Sequence, residues 1–397
     1  MERQPTEPRA GTQLRNRSSR SRKFIPSLPT LDLLTALQPA SWPWQRWPGL
    51  SGARVELTYL ARAGVFRAVR HFLGGRAGRV LMPAYHHGVE VEAVRAAGGE
   101  VVFYRVDDRM RVDLDDARKR SRGARLLYVT HYAGFAQPIA DAAALARELG
   151  VPLFEDCALS LFSRDPEGRP LGTTGQASCY CLYKTLPVPH GGLLRAPSDL
   201  PFDPAPAPPL LSTLHHAVGL ALADLELRAP RIGRPVRALA RGFAHQTVDA
   251  VVETVKTGTM HLDARELELG ASALVEAISA RVDPASVVTR RRRNFDRLAA
   301  ALERHVEVVG APLAAGVCPL FLPIRVADKP RLRERLLAHG IDAIDFWSTG
   351  DPACADADFP EVARLRREIL ELPCHQSLDD RAIDVVASAV ADELSYG

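Results

Sequence analysis

VPLFEDCALSLFSRDPEGRPLGTTGQASCYCLYKTLPVPHGGLL, residues 151–194, opens on an apolar run that ends in two acids and closes on a lysine followed by a glycine pair. Residues 151–154 read as an interior strand of a parallel sheet, because strands covered on both faces are continuously apolar. In open α/β sheets ligands sit beyond the carboxyl ends of such strands, and Glu155 and Asp156 fall there. Asp156 and Lys184 therefore form a candidate pair of buried ionisable groups. Pyridoxal 5′-phosphate (PLP) needs such a pair: a lysine amine to condense with its aldehyde, and a carboxylate to keep its pyridine nitrogen protonated. On spacing alone the plainer reading, a helix-capping aspartate and a surface lysine, stays open.

Outward from this stretch the chain alternates. Residues 60–73 carry apolar positions three and four apart, the pattern of an amphipathic helix, and stop at Gly74 and Gly75. Strands are expected at 79–83, from Glu100 and at 124–132, with helices at 89–99 and 138–150. Short strands alternating with helices imply βαβ units and a mostly parallel sheet with helices on both faces. Further strands are expected at 177–183 and 192–195. A proline-rich linker at 203–211 then leads to helices at 214–229 and 237–255, followed by helices at 264–282 and 290–305. The basic run Arg290–Arg293 reads as a helix face rather than a binding patch. From residue 319 the pattern returns to strand and helix, with a strand expected at 341–347 and a last helix at 377–394.

The chain of 397 residues is long enough for two domains. Apolar residues make up 46% and charged residues 25%, values ordinary for a globular enzyme. The net charge of +4 gives no reason to expect nucleic acid. Residues 1–23 carry seven Arg or Lys against two Glu and almost nothing apolar, so they read as a disordered basic arm. They contain no apolar core of a secretory signal. No apolar run is long enough to span a membrane. Six cysteines without CxxC pairs fit reduced thiols in a cytoplasmic protein, and no metal site is expected.

Five stretches, taken in order, resemble motifs of the DegT/DnrJ/EryC1/StrS sugar aminotransferases, PLP enzymes of fold type I. They are PAYHH (83–87), His131-Tyr-Ala-Gly134, Glu155-Asp-Cys-Ala158, Lys184-Thr-Leu ending in Gly191-Gly192, and ILELPCHQSL (369–378). The resemblance implies a three-layer α/β/α large domain at 24–282 with a helical insert at about 205–258, and a smaller α+β domain at 283–397. It implies a homodimer as well. Lys184 would carry the cofactor and shuttle the proton, and Asp156 would partner the pyridine nitrogen. His87 would stack on the ring, with Tyr85 as its alternative.

Several positions depart from the family pattern. Ala61-Arg62-Ala63 stands where the family holds the cofactor phosphate on Gly-Thr, so Arg62 and the amide of Ala63 are the expected substitutes. Cys179 replaces a phosphate-binding serine, and Leu159 a glutamine at the cofactor's phenolic oxygen. An asparagine loop that the family's partner subunit donates has no counterpart within 240–265. The resemblance implies transfer of an amino group from an amino acid, glutamate in much of the family, to a keto sugar, nucleotide-linked or similar, in polysaccharide or secondary-metabolite synthesis. The alternative is a PLP-fold protein with a regulatory or partner role and little catalysis.

Overall fold

The computed structural model describes residues 24–201, 205–243, 261–345 and 347–395. The basic arm lies outside them, as do residues 244–260, where the second half of one expected helix falls. Seven strands form the main sheet: β1 (Val55–Thr58), β2 (Gly78–Pro83), β3 (Gly99–Tyr104), β4 (Ala124–Thr130), β5 (Leu153–Cys157), β6 (Ala177–Cys181) and β7 (Gly192–Arg195). Their order is β1-β7-β6-β5-β4-β2-β3. Strands β2 to β6 run parallel, and β7 is antiparallel to both of its neighbours.

A short helix α1 (Leu33–Ala36) precedes the sheet. Helices α2 (Ala61–Phe72), α3 (Val89–Ala96), α4 (Leu114–Lys119) and α5 (Ile139–Leu149) follow its successive strands. The strands are buried on both faces. In β6, Cys179 and Cys181 belong to one apolar core and the intervening Tyr180 to another. This is why these strands read as apolar runs rather than alternating ones.

The lysine does not lie on a strand. β6 stops at Cys181, and Leu182–Thr185 turn into the single-turn helix α6, with the Leu182 amide donating to the Gly191 carbonyl at 2.9 Å. Beyond β7 come α7 (Leu210–Arg228) and α8 (Pro230–Phe243). The helix expected at 264–282 is broken. A 3-10 turn spans Ala264–Leu267, and α9 begins only at Ala273 and ends at Ser279. The break has a cause in pairing: the Leu269 carbonyl accepts from Tyr59 N–H at 2.9 Å, and Gly270 bridges Thr58 at the end of β1.

Helix α10 (Pro284–Leu302) starts six residues earlier than expected. Asp283 caps it by accepting from the amides of Ala285 and Ser286, and Pro284 occupies the first turn. It leads to a three-stranded antiparallel sheet of β8 (Glu307–Val308), β9 (Phe321–Arg325) and β10 (Ile369–Pro373). Helices α11 (Lys329–Ala338), α12 (Pro360–Glu368) and α13 (Asp380–Ser395) complete the described chain. Phe295 and Leu298 of α10 share one apolar core with Leu322, Ile324, Leu370 and Ile383. Ile25 is buried in that same core and bridges Ile341. The expected strand at 341–347 reduces to two isolated bridges, Ile341 to Ile25 and Ile344 to Glu371. No described helix is long and apolar enough to cross a membrane.

Candidate active site

One face of the central strands forms the floor of a cavity of about 260 Å³. The parallel register sets Thr130 of β4 beside Asp156 of β5, and Asp156 beside Cys179 of β6. Partnered residues in a parallel ladder point to the same face, so Thr130, Asp156, Cys179 and Cys181 all line the cavity. Tyr128 lies two positions before Thr130 and shares its face; its hydroxyl donates to Asp156 Oδ2 at 2.7 Å. Asp156 Oδ1 accepts from the Ala158 amide at 2.8 Å. Burial raises the Asp156 carboxyl, and the charge of Glu90 raises it further. The Tyr128 hydroxyl, the Ala158 amide and the Lys184 charge pull the other way.

Strand alternation sends Glu155 to the opposite face. There it is wholly buried and accepts from the amides of Gly172, Thr174 and Gly175 at 3.0, 2.8 and 2.5 Å. His131 Nδ1 accepts from the Gln137 amide, which leaves Nε2–H to donate to Glu155 at 3.1 Å. His131, Glu155 and Cys157 bring metal-capable atoms within 4.8 Å of one another. The carboxylate is already satisfied by three amides and an imidazole, so the cluster ties β4 and β5 to the 172–175 turn and needs no ion. Of the two acids at the strand end, Asp156 is the one that faces the cavity.

Lys184 lines the cavity from α6, and two residues distant in sequence brace its turn. Arg291 of α10 is fully buried because it falls on the stripe of Val287, Asn294, Phe295 and Leu298. Its guanidinium donates to the carbonyls of Thr185, Pro319 and Leu320 at 3.1, 3.1 and 2.9 Å, and to Gln376 Oε1 at 2.8 Å. Gln376 in turn donates to the Thr185 carbonyl at 2.8 Å. The 369–378 motif thus reaches the site by holding the lysine's turn. Arg291→Ala leaves several buried carbonyls without donors. It is expected to cost about 3 kcal/mol, lowering the thermal midpoint by about 4 °C. An unchanged melting curve would contradict this role.

The glycine pair has a steric reason. A Cβ on Gly192 would lie 2.3 Å from the Leu60 carbonyl carbon and 2.4 Å from the Ala61 nitrogen, so only glycine lets β7 pass against the start of α2. That start forms another wall of the cavity, through Leu60, Ala61 and Arg62. Ala63 is buried beneath the wall, and its amide donates to the Leu60 carbonyl at 3.1 Å. The amide expected of Ala63 is therefore spent within the first turn. Arg62 pairs with the buried Glu266 at 3.1 Å.

Of the two aromatic candidates, His87 faces the cavity and Tyr85 does not. Tyr85 packs edge-on against Trp347, with ring centroids 4.8 Å apart, under the guanidinium of Arg366. Burial lowers the His87 imidazole to about 4, helped by the charges of Lys184 and Arg62, so the ring is neutral near pH 7. His86 stacks on Phe103 at 4.7 Å and accepts from the Asp351 amide, a structural role. Cys179 Sγ lies 3.5 Å from Asp156 Oδ1, at the acid end of the cavity, and Leu159 offers it only apolar surface.

Several lining residues were not among the sequence candidates. Ser27, Leu28 and Ile344 come from irregular segments, and Glu90 from the first turn of α3; Trp347, which in the sequence reads as ordinary packing, lines the cavity too. Glu90 accepts from the His87 amide at 2.8 Å. Only Tyr128 left a signal in the sequence, since strand alternation places it on the Asp156 face.

Residues 65–199, which contain the floor of this cavity and Lys184, match the model of the DegT/DnrJ/EryC1/StrS aminotransferase family. Over that stretch the chain is similar to that family. It is 23% identical over 359 residues to a dTDP-4-dehydro-2,3,6-trideoxy-D-glucose 4-aminotransferase from Saccharopolyspora spinosa, a match covering 85% of this chain and 84% of the relative. Its fold matches that of the aminotransferase TlmJ from Streptoalloteichus hindustanus, with a TM-score of 0.67, 22% identity, and 94% and 99% of the two chains covered. DesV of S. venezuelae, solved in complex with a ketimine intermediate, gives a TM-score of 0.60, 17% identity and coverage of 86% and 84%.

Proposed function

We propose that the protein is a PLP-dependent aminotransferase that moves an amino group from an amino acid, glutamate for preference, to a keto sugar carried on a nucleotide. The observation that carries this reading is the convergence of Asp156, Lys184, His87 and Arg62 on one cavity within a chain similar to this family. The cavity's acid, amine and cation come from three different elements, β5, α6 and α2. The S. spinosa relative, named for its action on a dTDP-linked sugar, supports the acceptor class.

The residues fit the cofactor by the chemistry of their donors. Asp156 is a carboxyl whose ionised form is penalised by burial, and a protonated ring nitrogen placed against it would offset that penalty. His87 is held neutral and offers a flat face. Arg62 and the start of α2 supply positive charge for a phosphate. When bound, PLP would supply an aldehyde carbon that condenses with amines and a ring that accepts electrons.

The chain's own groups do the rest. Asp156 holds charge opposite the ring nitrogen, and Tyr128 and the Ala158 amide fix its two oxygens. Lys184 Nζ removes the proton at the donor's α-carbon and returns one to the acceptor's carbonyl carbon. Arg291 and Gln376 fix the turn from which it works. Leu159, Val65 and Trp347 keep the cavity apolar around that transfer.

The test is direct. Purified protein given PLP should turn yellow, with a band that borohydride abolishes. With glutamate and a nucleotide-linked 4-keto sugar it should release 2-oxoglutarate. Protein that stays colourless and takes up no PLP would refute the reading. A homodimer belongs to the same proposal. Leu210, Leu211, Leu214 and Val218 leave an apolar stripe exposed on α7, a face that a second copy would cover. Sedimentation equilibrium giving a monomer would remove that part.

A further inference from the structure

Arg62 is a cation on the cavity wall whose charge already has a partner. Its Nη1 lies 3.1 Å from Glu266 Oε2 and 3.4 Å from the His261 carbonyl oxygen. The pair is deeply buried, with Arg62 7% and Glu266 0% exposed. Glu266 sits in the Ala264–Leu267 turn, which Asp263 caps by accepting from the Arg265 amide at 3.0 Å. The adjoining chain is fastened to α3 by Glu92, which accepts from the Leu262 amide at 2.5 Å. Arg62, Glu266 and the first turn of α2 therefore meet at one end of the cavity.

Among the described residues, five titratable or charged groups surround the Glu266 carboxylate. They are Arg62 from α2, Asp263 and Arg265 from its own turn, Tyr59 after β1 and Tyr183 of α6. Arg265 is half exposed and itself paired with Asp263, which leaves Arg62 as the buried cation of the group. One arginine balances one carboxylate. A phosphate adds a charge of about −1.5 to −2, and with Glu266 still ionised the single guanidinium would face an excess of negative charge in a buried setting.

We propose that Glu266 and the phosphate of the bound cofactor compete for Arg62, and that Glu266 takes up one proton from solvent as the phosphate is seated. The inference rests on the cofactor reading above and adds to it a proton-coupled step of cofactor uptake. Glu266 is suited to the exchange because burial pushes its carboxyl up to about 7, against the pull of the Arg62 charge. The sign follows. Glu266 has a higher pKa in the complex than in the free protein, so binding takes up no proton well below pH 7 and up to one above it. Affinity is level on the acid side and falls by as much as tenfold per pH unit on the alkaline side. The phosphate's own ionisation, near pH 6, acts in the opposite direction and outside this window. His87, lowered to about 4, is silent there.

The test uses pyridoxine 5′-phosphate, which lacks the aldehyde and cannot condense with Lys184. Its binding to wild type and to Glu266→Gln is measured by titration calorimetry between about pH 7 and 8.5, in buffers of different ionisation enthalpy. Wild type is expected to lose about tenfold in affinity across that range and to take up close to one proton at the alkaline end. Glu266→Gln is expected to show a level profile, no proton uptake and tighter binding at the alkaline end. Wild type taking up no proton, or a variant with the wild-type slope, would overturn the proposal. Should that variant not fold, Glu266→Ala is measured in its place with the same outcomes expected, because the difference from wild type removes any proton taken up by the ligand's own ring nitrogen opposite Asp156. A borohydride-trappable band with PLP but no proton uptake would sink this inference and leave the cofactor reading standing. No binding of either compound would sink both.

Discussion

Lys184→Ala is expected to lower amino transfer by roughly 10³-fold or more, and to leave the protein without a band that borohydride can trap. The reason lies in how few groups can do the work. Thr130, Tyr183 and the thiols of Cys179 and Cys181 also line the cavity, but burial raises both thiols and the Tyr183 hydroxyl above their usual ranges. None of them becomes a base near neutral pH. Lys184 is the lysine on the wall, and its turn is fixed from outside by Arg291 and Gln376. The variant should fold, because the Thr185 carbonyl keeps both of its donors. It should still bind pyridoxine 5′-phosphate, which separates loss of the amine from loss of the pocket. Retention of more than about a tenth of the activity would remove Lys184 from the mechanism.

Asp156→Asn is expected to reduce kcat/KM by roughly 10²–10³-fold while leaving a borohydride-sensitive band. An amide is nearly isosteric, and its oxygen can still accept from the Tyr128 hydroxyl or the Ala158 amide. It carries no charge, so nothing holds a proton on the ring nitrogen. The loss should therefore appear in the chemical step rather than in donor binding, as a fall in kcat with KM little changed. It should also shift the pH dependence of the visible band, which a purely structural aspartate would not do. A variant with wild-type kcat would show that the buried acid serves the fold alone.

The sheet was readable because its central strands are apolar on both faces and β2 and β4 are each followed by a periodic helix. β2, β4, β5 and β7 and helices α2, α3 and α5 fall close to their expected positions. The errors fall where tertiary pairing overrides local pattern. Residues 264–282 have helical composition, but Leu269 and Gly270 are taken by the end of β1. Residues 341–347 look like a strand, but Ile341 and Ile344 each find only one bridge, on opposite neighbours. Leu182 and Tyr183 were expected to continue β6. The Leu182 amide is instead captured by Gly191, which turns the chain and brings the lysine to the cavity.

Local chemistry in the sequence determined the poles of the site. An acid at the end of an apolar strand and a lysine before a glycine pair are patterns written within 44 residues, and period-2 alternation decides that Asp156, not Glu155, meets the cavity. Packing decided everything around those poles. That Ala63 spends its amide inside the helix, that Arg62 is shared with Glu266, and that Ser27, Glu90 and Trp347 wall the cavity all depend on distant segments brought together. Such contacts carry no periodicity along the chain, because they are set by which surfaces exclude water together and not by the spacing of residues in any one element.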